Sequence, residues 1–285
     1  MVILLLGHTG QIGTELLTTL TPLGQVINQH IDITDKNALS DCLYTIKPHI
    51  IVNAAAYTSV DIAQTEQDLC MLTNAIALRS LSEIALDIGA LLVHYSTDYV
   101  FDGSGCLPWS EEDNPNPINI YGQSKLAGEQ AITKTGCRHL ILRTSWVYGQ
   151  NSNNFIQKVL QKIRQKQSLS VISDQIGAPT SAKFIAEATA LAIQHIIKES
   201  EGEGLYHLCC RGETSWFDYA KLIASIAAPN DDTIITPILS KDYQQTACRP
   251  LNSRLNTSKF QKTFGLTPPY WQDELRQYLP SFIEI

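Results

Sequence analysis

Val2-Ile3-Leu4-Leu5-Leu6 runs directly into Gly7-His8-Thr9-Gly10-Gln11-Ile12-Gly13, and that loop runs into a segment with helical spacing, Gln11–Leu20. Five consecutive apolar residues without polar alternation are the pattern of a strand covered on both faces, as in parallel sheets. Glycines after such a strand let the backbone turn tightly and approach a pyrophosphate, whose charge then sits against a helix N-terminus. The spacing is G-x-x-G-x-x-G, not the commoner G-x-G-x-x-G. A tight strand-to-helix turn without a ligand would use the same glycines. Position favours a nucleotide loop, because the glycines follow the first strand of a βαβ unit.

Working outward, the first half alternates strand and helix. Strands are expected at Val26–Ile31, Ile50–Asn53, Leu91–Tyr95 and His139–Arg143. Helices are expected at Asp35–Ile46, from about Ala63 to Ile88 with one break, and at Gly122–Thr135. Repeated βα units imply a doubly wound parallel sheet of Rossmann type. The second half is less regular. Helices are expected at Phe155–Gln165, Ala182–Lys198, Trp216–Ala227 and Trp271–Leu279, with strands at Leu169–Ile172 and Leu205–Leu208. The predicted fold class is therefore α/β, with a dinucleotide-binding domain over 1–150 and a smaller C-terminal substrate-binding region over 151–285, parts of which return to the first domain.

The 285 residues carry a net charge of -7, which disfavours nucleic-acid or membrane-surface binding. An anionic substrate then needs local basic groups. No basic n-region precedes the apolar start, and no apolar run is expected to reach the ~20 residues that cross a bilayer. Seven scattered cysteines without a C-x-x-C pair read as reduced thiols of a cytoplasmic protein, with no disulfide framework and no zinc site. Cys209 and Cys210 are expected on a strand, one facing in and one out.

Asp32 lies roughly the ~20 residues beyond the glycine loop at which an acidic side chain meets an adenosine ribose. It can equally cap the following helix. No Arg or Lys lies in Asn28–Asp35 to form a 2′-phosphate pocket, and His30 is the remaining candidate there. The third strand ends in Asn53-Ala54-Ala55-Ala56-Tyr57, whose small residues let a cofactor pass close or simply pack a strand end.

Tyr121 and Lys125 form Y-x-x-x-K, and positions i and i+4 share a helix face. A free phenol titrates near ~10, and bringing it towards ~7 takes roughly 4 kcal/mol of phenolate stabilisation. Lys125 and the helix N-terminus are the expected sources. After the fourth strand, Ser96-Thr97-Asp98-Tyr99 sits where parallel sheets place ligands. Thr97 can hold a carbonyl beside Tyr121, or these residues can merely make a turn.

With these pieces placed, the chain resembles the dTDP-4-dehydrorhamnose reductases, extended short-chain reductases that complete dTDP-L-rhamnose. The resemblance rests on Gly7–Gly13, Val52–Ala56, His94–Phe101, Tyr121–Glu129, Arg143–Tyr148, Ile172–Thr180, Gly204–Leu208 and Asn252–Thr257. It implies reduction of the C4 keto group of a dTDP-linked sugar by NADPH or NADH. It implies Tyr121 as proton donor, Lys125 as its activator and ribose anchor, and Thr97 as carbonyl positioner. Gly10, Gln11 and Ile12, with Gly7 behind them, should contact the pyrophosphate. Asp32 and Ile33 should flank the adenine, with His30 beside them. Ala55, Ala56, Tyr57, Thr58 and Tyr95 should border the cofactor. Val60, Asp98, Tyr99 and Trp146 should touch the sugar or nucleotide, and Arg254 should neutralise the diphosphate.

Some relatives of that family dimerise around magnesium held by glutamates. Glu15 matches one ligand, but Lys183 stands where another glutamate is expected, so no bridging metal and a monomer or weak homodimer are expected. Two other functions stay open. One is a nucleotide-sugar epimerase or dehydratase, although resembling dehydratases carry Glu where this chain has Tyr99. The other is a non-catalytic subunit like the regulatory subunit of methionine adenosyltransferase.

Overall fold

The computed structural model describes residues 1–150, 154–229 and 233–283. In chain order the elements are β1 (Val2–Leu6), α1 (Gln11–Thr19), β2 (Gln25–Asn28), α2 (Lys36–Ile46), β3 (Ile50–Asn53), α3 (Gln67–Met71), α4 (Ala77–Asp87), β4 (Leu91–Thr97), α5 (Ile120–Thr135) and β5 (His139–Thr144). There follow β6 (Val147–Tyr148), α6 (Phe155–Arg164), β7 (Leu169–Ile172), β8 (Ile176–Gly177), β9 (Thr180–Ser181), α7 (Ala182–Glu199) and β10 (Gly204–His207). The last are β11 (Thr214–Ser215), α8 (Trp216–Ala227), β12 (Ile235–Ile238), α9 (Ser258–Phe264), α10 (Trp271–Tyr278) and α11 (Pro280–Ile283).

Six parallel strands form one sheet in the order β10-β5-β4-β3-β1-β2. The strand order reverses at β1, so the loops after β1 and β3 open the crevice where such sheets bind ligands. Alternate side chains of each strand enter opposite cores. Ile3 and Leu5 join Leu16 of α1 and Ile185 of α7 on one face, while Leu4 and Leu6 join Leu39, Leu78 and Ile132 on the other. That double burial is why β1 reads as an unbroken apolar run. Each such side chain contributes about 1.5–3 kcal/mol.

Several expectations need correction. The second strand stops at Asn28, short of Ile31, because its partner β1 turns away at Gly7: Leu5 pairs with Asn28 and nothing pairs beyond. The fourth strand extends through Thr97, which pairs with Thr144, so Ser96 and Thr97 are strand and not turn. Asp32 does not cap the next helix. Asp35 does, accepting from Asn37 N and Ala38 N at 3.0 Å each. Cys209 and Cys210 follow β10 and are both buried. All seven cysteines are free. The stretch Gln67–Asp87, continuous through a π-turn, is long and apolar enough by composition to cross a membrane, contrary to expectation. Its Leu78, Leu81 and Ala85 lie inside the second core, while Arg79 and Glu83 pair on its outer side.

The boundary expected after residue 150 adjoins 151–153, which lie outside the described residues. From the second half, β10 joins the six-stranded sheet beside β5. The other strands of the second half form three small pairs, β6–β9, β7–β12 and β8–β11.

Candidate active site

The glycine loop is built by close approach. Gly7 adopts φ +74° in the left-handed region, and a Cβ there would overlap the Ala54–Ala55 backbone. Only glycine lets β1 and β3 end this close together. Gly10 precedes α1 and offers no side chain to cap it, so the first-turn N–H groups are left for another acceptor. Thr9, Gly10, Gln11 and Ile12 line a cleft of about 570 Å³, and the buried Oε1 of Gln11 has no partner there. A tight glycine turn and uncapped N–H groups fit a dinucleotide pyrophosphate.

Beside it stands α5. Asn119 caps this helix by accepting from Gly122 N at 2.8 Å. A Cβ on Gly122 would overlap the main-chain carbonyl of Tyr99, so glycine lets the helix start directly against the turn that follows β4. That contact brings Tyr121, in the first turn, against Thr97 and Tyr99; the Tyr99 and Tyr121 rings meet edge to face at 5.8 Å. The buried face of α5 is polar, carrying Ser124, Lys125 and Glu129. Glu129 is locked by Arg143, with Nε–Oε1 at 2.9 Å and Nη2–Oε2 at 2.6 Å, and also accepts from Ser96 Oγ.

The electrostatics differ from expectation. Lys125 Nζ does not bond the Tyr121 phenol. It donates to Tyr95 O at 2.6 Å and meets His94 Nε2 at 3.0 Å. Burial draws Lys125 down to about 8, against the charges of Glu129 and Cys70. Burial pushes the Tyr121 phenol up, opposed by a hydrogen bond with Thr97. Without ligands, desolvation therefore outweighs any pull of Lys125 on the phenol. Burial likewise raises Asp98 to about 7, although hydrogen bonds from Ser253 and Thr97 favour its carboxylate. Thr97 Oγ1 donates to Asp98 Oδ1 at 3.1 Å.

Of the residues expected from sequence, Gly10, Gln11, Ile12, Ala56, Thr58, Val60, Tyr95, Thr97, Asp98, Tyr99, Tyr121, Lys125 and Trp146 line this one cleft. Trp146 sits at φ +48°, a conformation costing roughly 1–2 kcal/mol outside glycine. It is held face to face on Trp216, ring centroids 3.7 Å apart, and against Gly177. Gly7 and Ala55 lie behind the loop. Tyr57 turns aside, donating to Glu66 at 2.9 Å. His30 and Asp32 are exposed, Asp32 accepting from Thr34 N and Oγ1 at 2.9 and 2.7 Å. Ile33 is packed in the core. Arg254 is not in the cleft: it pairs with Glu213 at 2.5 Å beside a separate cavity.

Sequence reasoning missed Trp216 and Arg249. Together with Tyr99 they border a second chamber of about 480 Å³ that also holds Lys158 and Lys162. Tyr99 and Trp216 line both chambers. Arg249 is anchored by Asp61 at 2.6 Å and reaches the Tyr99 hydroxyl. A basic residue beside a proline was its one visible signal. Glu15 accepts from Tyr278 Oη at 2.5 Å, and Lys183 lies 4.0 Å from Glu187.

A family model described as the RmlD substrate binding domain matches residues 1–283. The chain belongs to the RmlD family. Among its members, the dTDP-4-dehydrorhamnose reductase of Salmonella typhimurium strain LT2 is 42% identical over 290 residues, covering 98% of this chain and 97% of that protein. A crystal structure of dTDP-4-dehydrorhamnose reductase from Bacillus anthracis in complex with NADP superposes with TM-score 0.90 at 35% identity, over 100% of this chain and 99% of that one. The RmlD fold is wider than this activity. The UDP-glucose 4-epimerase of Thermotoga maritima shares it, with TM-score 0.86 at 18% identity over 100% of this chain and 99% of that one.

Proposed function

We propose that this chain reduces the C4 keto group of dTDP-4-dehydro-β-L-rhamnose to dTDP-L-rhamnose, using NADPH or NADH. The observation that carries this is the meeting of Thr97, Tyr121 and Lys125 in one cleft with the glycine loop. A reduced nicotinamide bound there supplies the hydride. Tyr121 keeps its proton on the phenol at neutral pH, ready for the oxygen of the former ketone. Thr97 orients that oxygen, and the Lys125 ammonium favours the phenolate left behind. Tyr99, where a dehydratase would need a carboxylate, supplies no acid for water loss.

The neighbouring chamber suits the rest of the substrate. A dTDP-sugar carries two phosphate charges, and Arg249, Lys158 and Lys162 gather positive charge on an otherwise acidic protein. Residues 1–150 would then hold the cofactor, with 151–285 supplying most of the substrate side. Lys183, in place of the second glutamate that the resemblance calls for, disfavours a bridging magnesium ion, and we read the enzyme as a monomer or weak dimer of the cytoplasm.

The test is loss of reduced-nicotinamide absorbance with purified protein and dTDP-4-dehydrorhamnose, comparing NADPH with NADH. One cofactor oxidised per sugar reduced is the expected result. Sugar conversion without net cofactor loss would make the protein an epimerase or dehydratase. Tight cofactor binding with no conversion would point to a regulatory subunit.

A further inference from the structure

Asn119 is 3% exposed and stands between two stretches of chain that are remote in sequence. Its Oδ1 accepts from Gly122 N, in the first turn of α5, at 2.8 Å. Its Nδ2 donates to the main-chain oxygen of Cys248, also at 2.8 Å. A backbone N–H only donates and a backbone carbonyl only accepts, so these two partners fix the amide in one orientation.

Each partner leads to a different part of the site. On the α5 side, Tyr121 and Lys125 follow directly and line the cleft. On the other side, Cys248 immediately precedes Arg249, which lines the second chamber. The loop that carries Arg249 is pinned at further points. Asp61, next to Val60 of the cleft wall, accepts from Ala247 N at 3.0 Å and from Arg249 Nη1 and Nη2 at 3.2 and 2.6 Å. Beyond the arginine, Ile176 N of β8 donates to Leu251 O at 2.8 Å. Asn119 is the anchor that ties this loop to the start of α5.

We propose that Asn119 is a positioning residue that sets the spacing between the proton donor and the anion-binding arginine. The inference rests on the reductase reading for what Tyr121 and Arg249 do. In a sugar nucleotide the reacting carbonyl and the diphosphate are joined through the sugar ring, so a site that holds both must present its two sets of contacts at a matching separation. The planar carboxamide of Asn119 supplies that link. Its oxygen places the first turn of α5, and its nitrogen places the carbonyl next to Arg249.

The two bonds can be cut separately. Ser and Asp cap helices about as well as Asn, but Ser is too short to reach Cys248 O and an Asp carboxylate has no hydrogen to give it. Asn119→Ser and Asn119→Asp therefore release the loop and keep the cap, whereas Asn119→Ala releases both. The first test is amide hydrogen exchange of the intact proteins without ligand. Exchange over 245–250 should be about tenfold faster in all three variants, and faster in the first turn of α5 only in Asn119→Ala. Unchanged loop exchange in the Ser and Asp variants overturns the proposal, whatever the enzyme turns over.

The second test is steady-state kinetics. The Ser and Asp variants should raise KM for the nucleotide sugar about tenfold and keep kcat within about threefold of wild type, and Asn119→Ala should lower kcat as well, by about tenfold or more. An unchanged KM, or a loss of kcat in the Ser and Asp variants as large as in Asn119→Ala, would also overturn it. Failure of the wild-type protein to oxidise reduced nicotinamide would instead remove the reductase reading, and the exchange result would still decide whether Asn119 holds the loop.

Discussion

The floor of the cleft and its outer lip are built in opposite ways. On the floor, Ser96, Thr97, Asp98, Lys125 and Glu129 are all at most 5% exposed, and every one is hydrogen-bonded to a neighbour. On the lip after β2, His30 and Asp32 stand in solvent, and the Asp32 carboxylate accepts from nearby Thr34. The floor is organised before any ligand arrives, at the cost of burying charge. Chemistry that needs fixed geometry belongs on the first, and preference between similar cofactors belongs on the second.

The contrast can be broken at the floor with the largest effect. Glu129→Gln leaves Arg143 buried without its counter-charge and should cost about 3–5 kcal/mol of stability in denaturant unfolding. A loss well below about 1 kcal/mol, the scale of surface pairs, would mean that the ion pair does not secure α5.

A smaller effect separates the two arginines. Arg249→Ala should raise KM for the nucleotide sugar about tenfold, or roughly 1.4 kcal/mol of binding, with Arg254→Ala changing it less than about twofold. Steady-state kinetics with both variants decide this. The reverse ranking would move the diphosphate to the Arg254 cavity.

The smallest effect lies on the lip. Asp32→Asn removes one exposed negative charge and should shift the NADPH/NADH ratio of kcat/KM towards NADPH by about threefold, in line with the small energies of exposed charge contacts. A change of a hundredfold would show that Asp32 grips the ribose as firmly as a buried group.

How far the sequence reveals all this follows the same division. The glycine loop, the alternation of strand and helix in the first half and the Tyr121–Lys125 face were readable because each depends on local spacing: a turn after a strand, an alternation, an i to i+4 step. What lay beyond reading depends on register between distant segments. Trp216 meets Trp146 only because β8 and β11 pair and bring the start of α8 beside the β5–β6 turn. Arg249 reaches the site because Asp61, far away in the chain, anchors it. Arg254, which the resemblance put at the diphosphate, is paired with Glu213 beside another cavity. The electrostatic expectation for Tyr121 failed for a different reason. Spacing places a lysine on the right face but says nothing of the competing acceptors, and Tyr95 O and His94 hold that ammonium.

The most direct test of the central claim, that Tyr121 is the proton donor of a preformed floor, is the single-turnover rate of Tyr121→Phe beside its cofactor affinity. The ring remains and only the hydroxyl is lost. The account predicts a rate reduced about 10²- to 10⁴-fold, the usual worth of a positioned general acid, with NADPH binding and thermal stability close to wild type. A variant that binds cofactor normally and keeps the wild-type rate would contradict it.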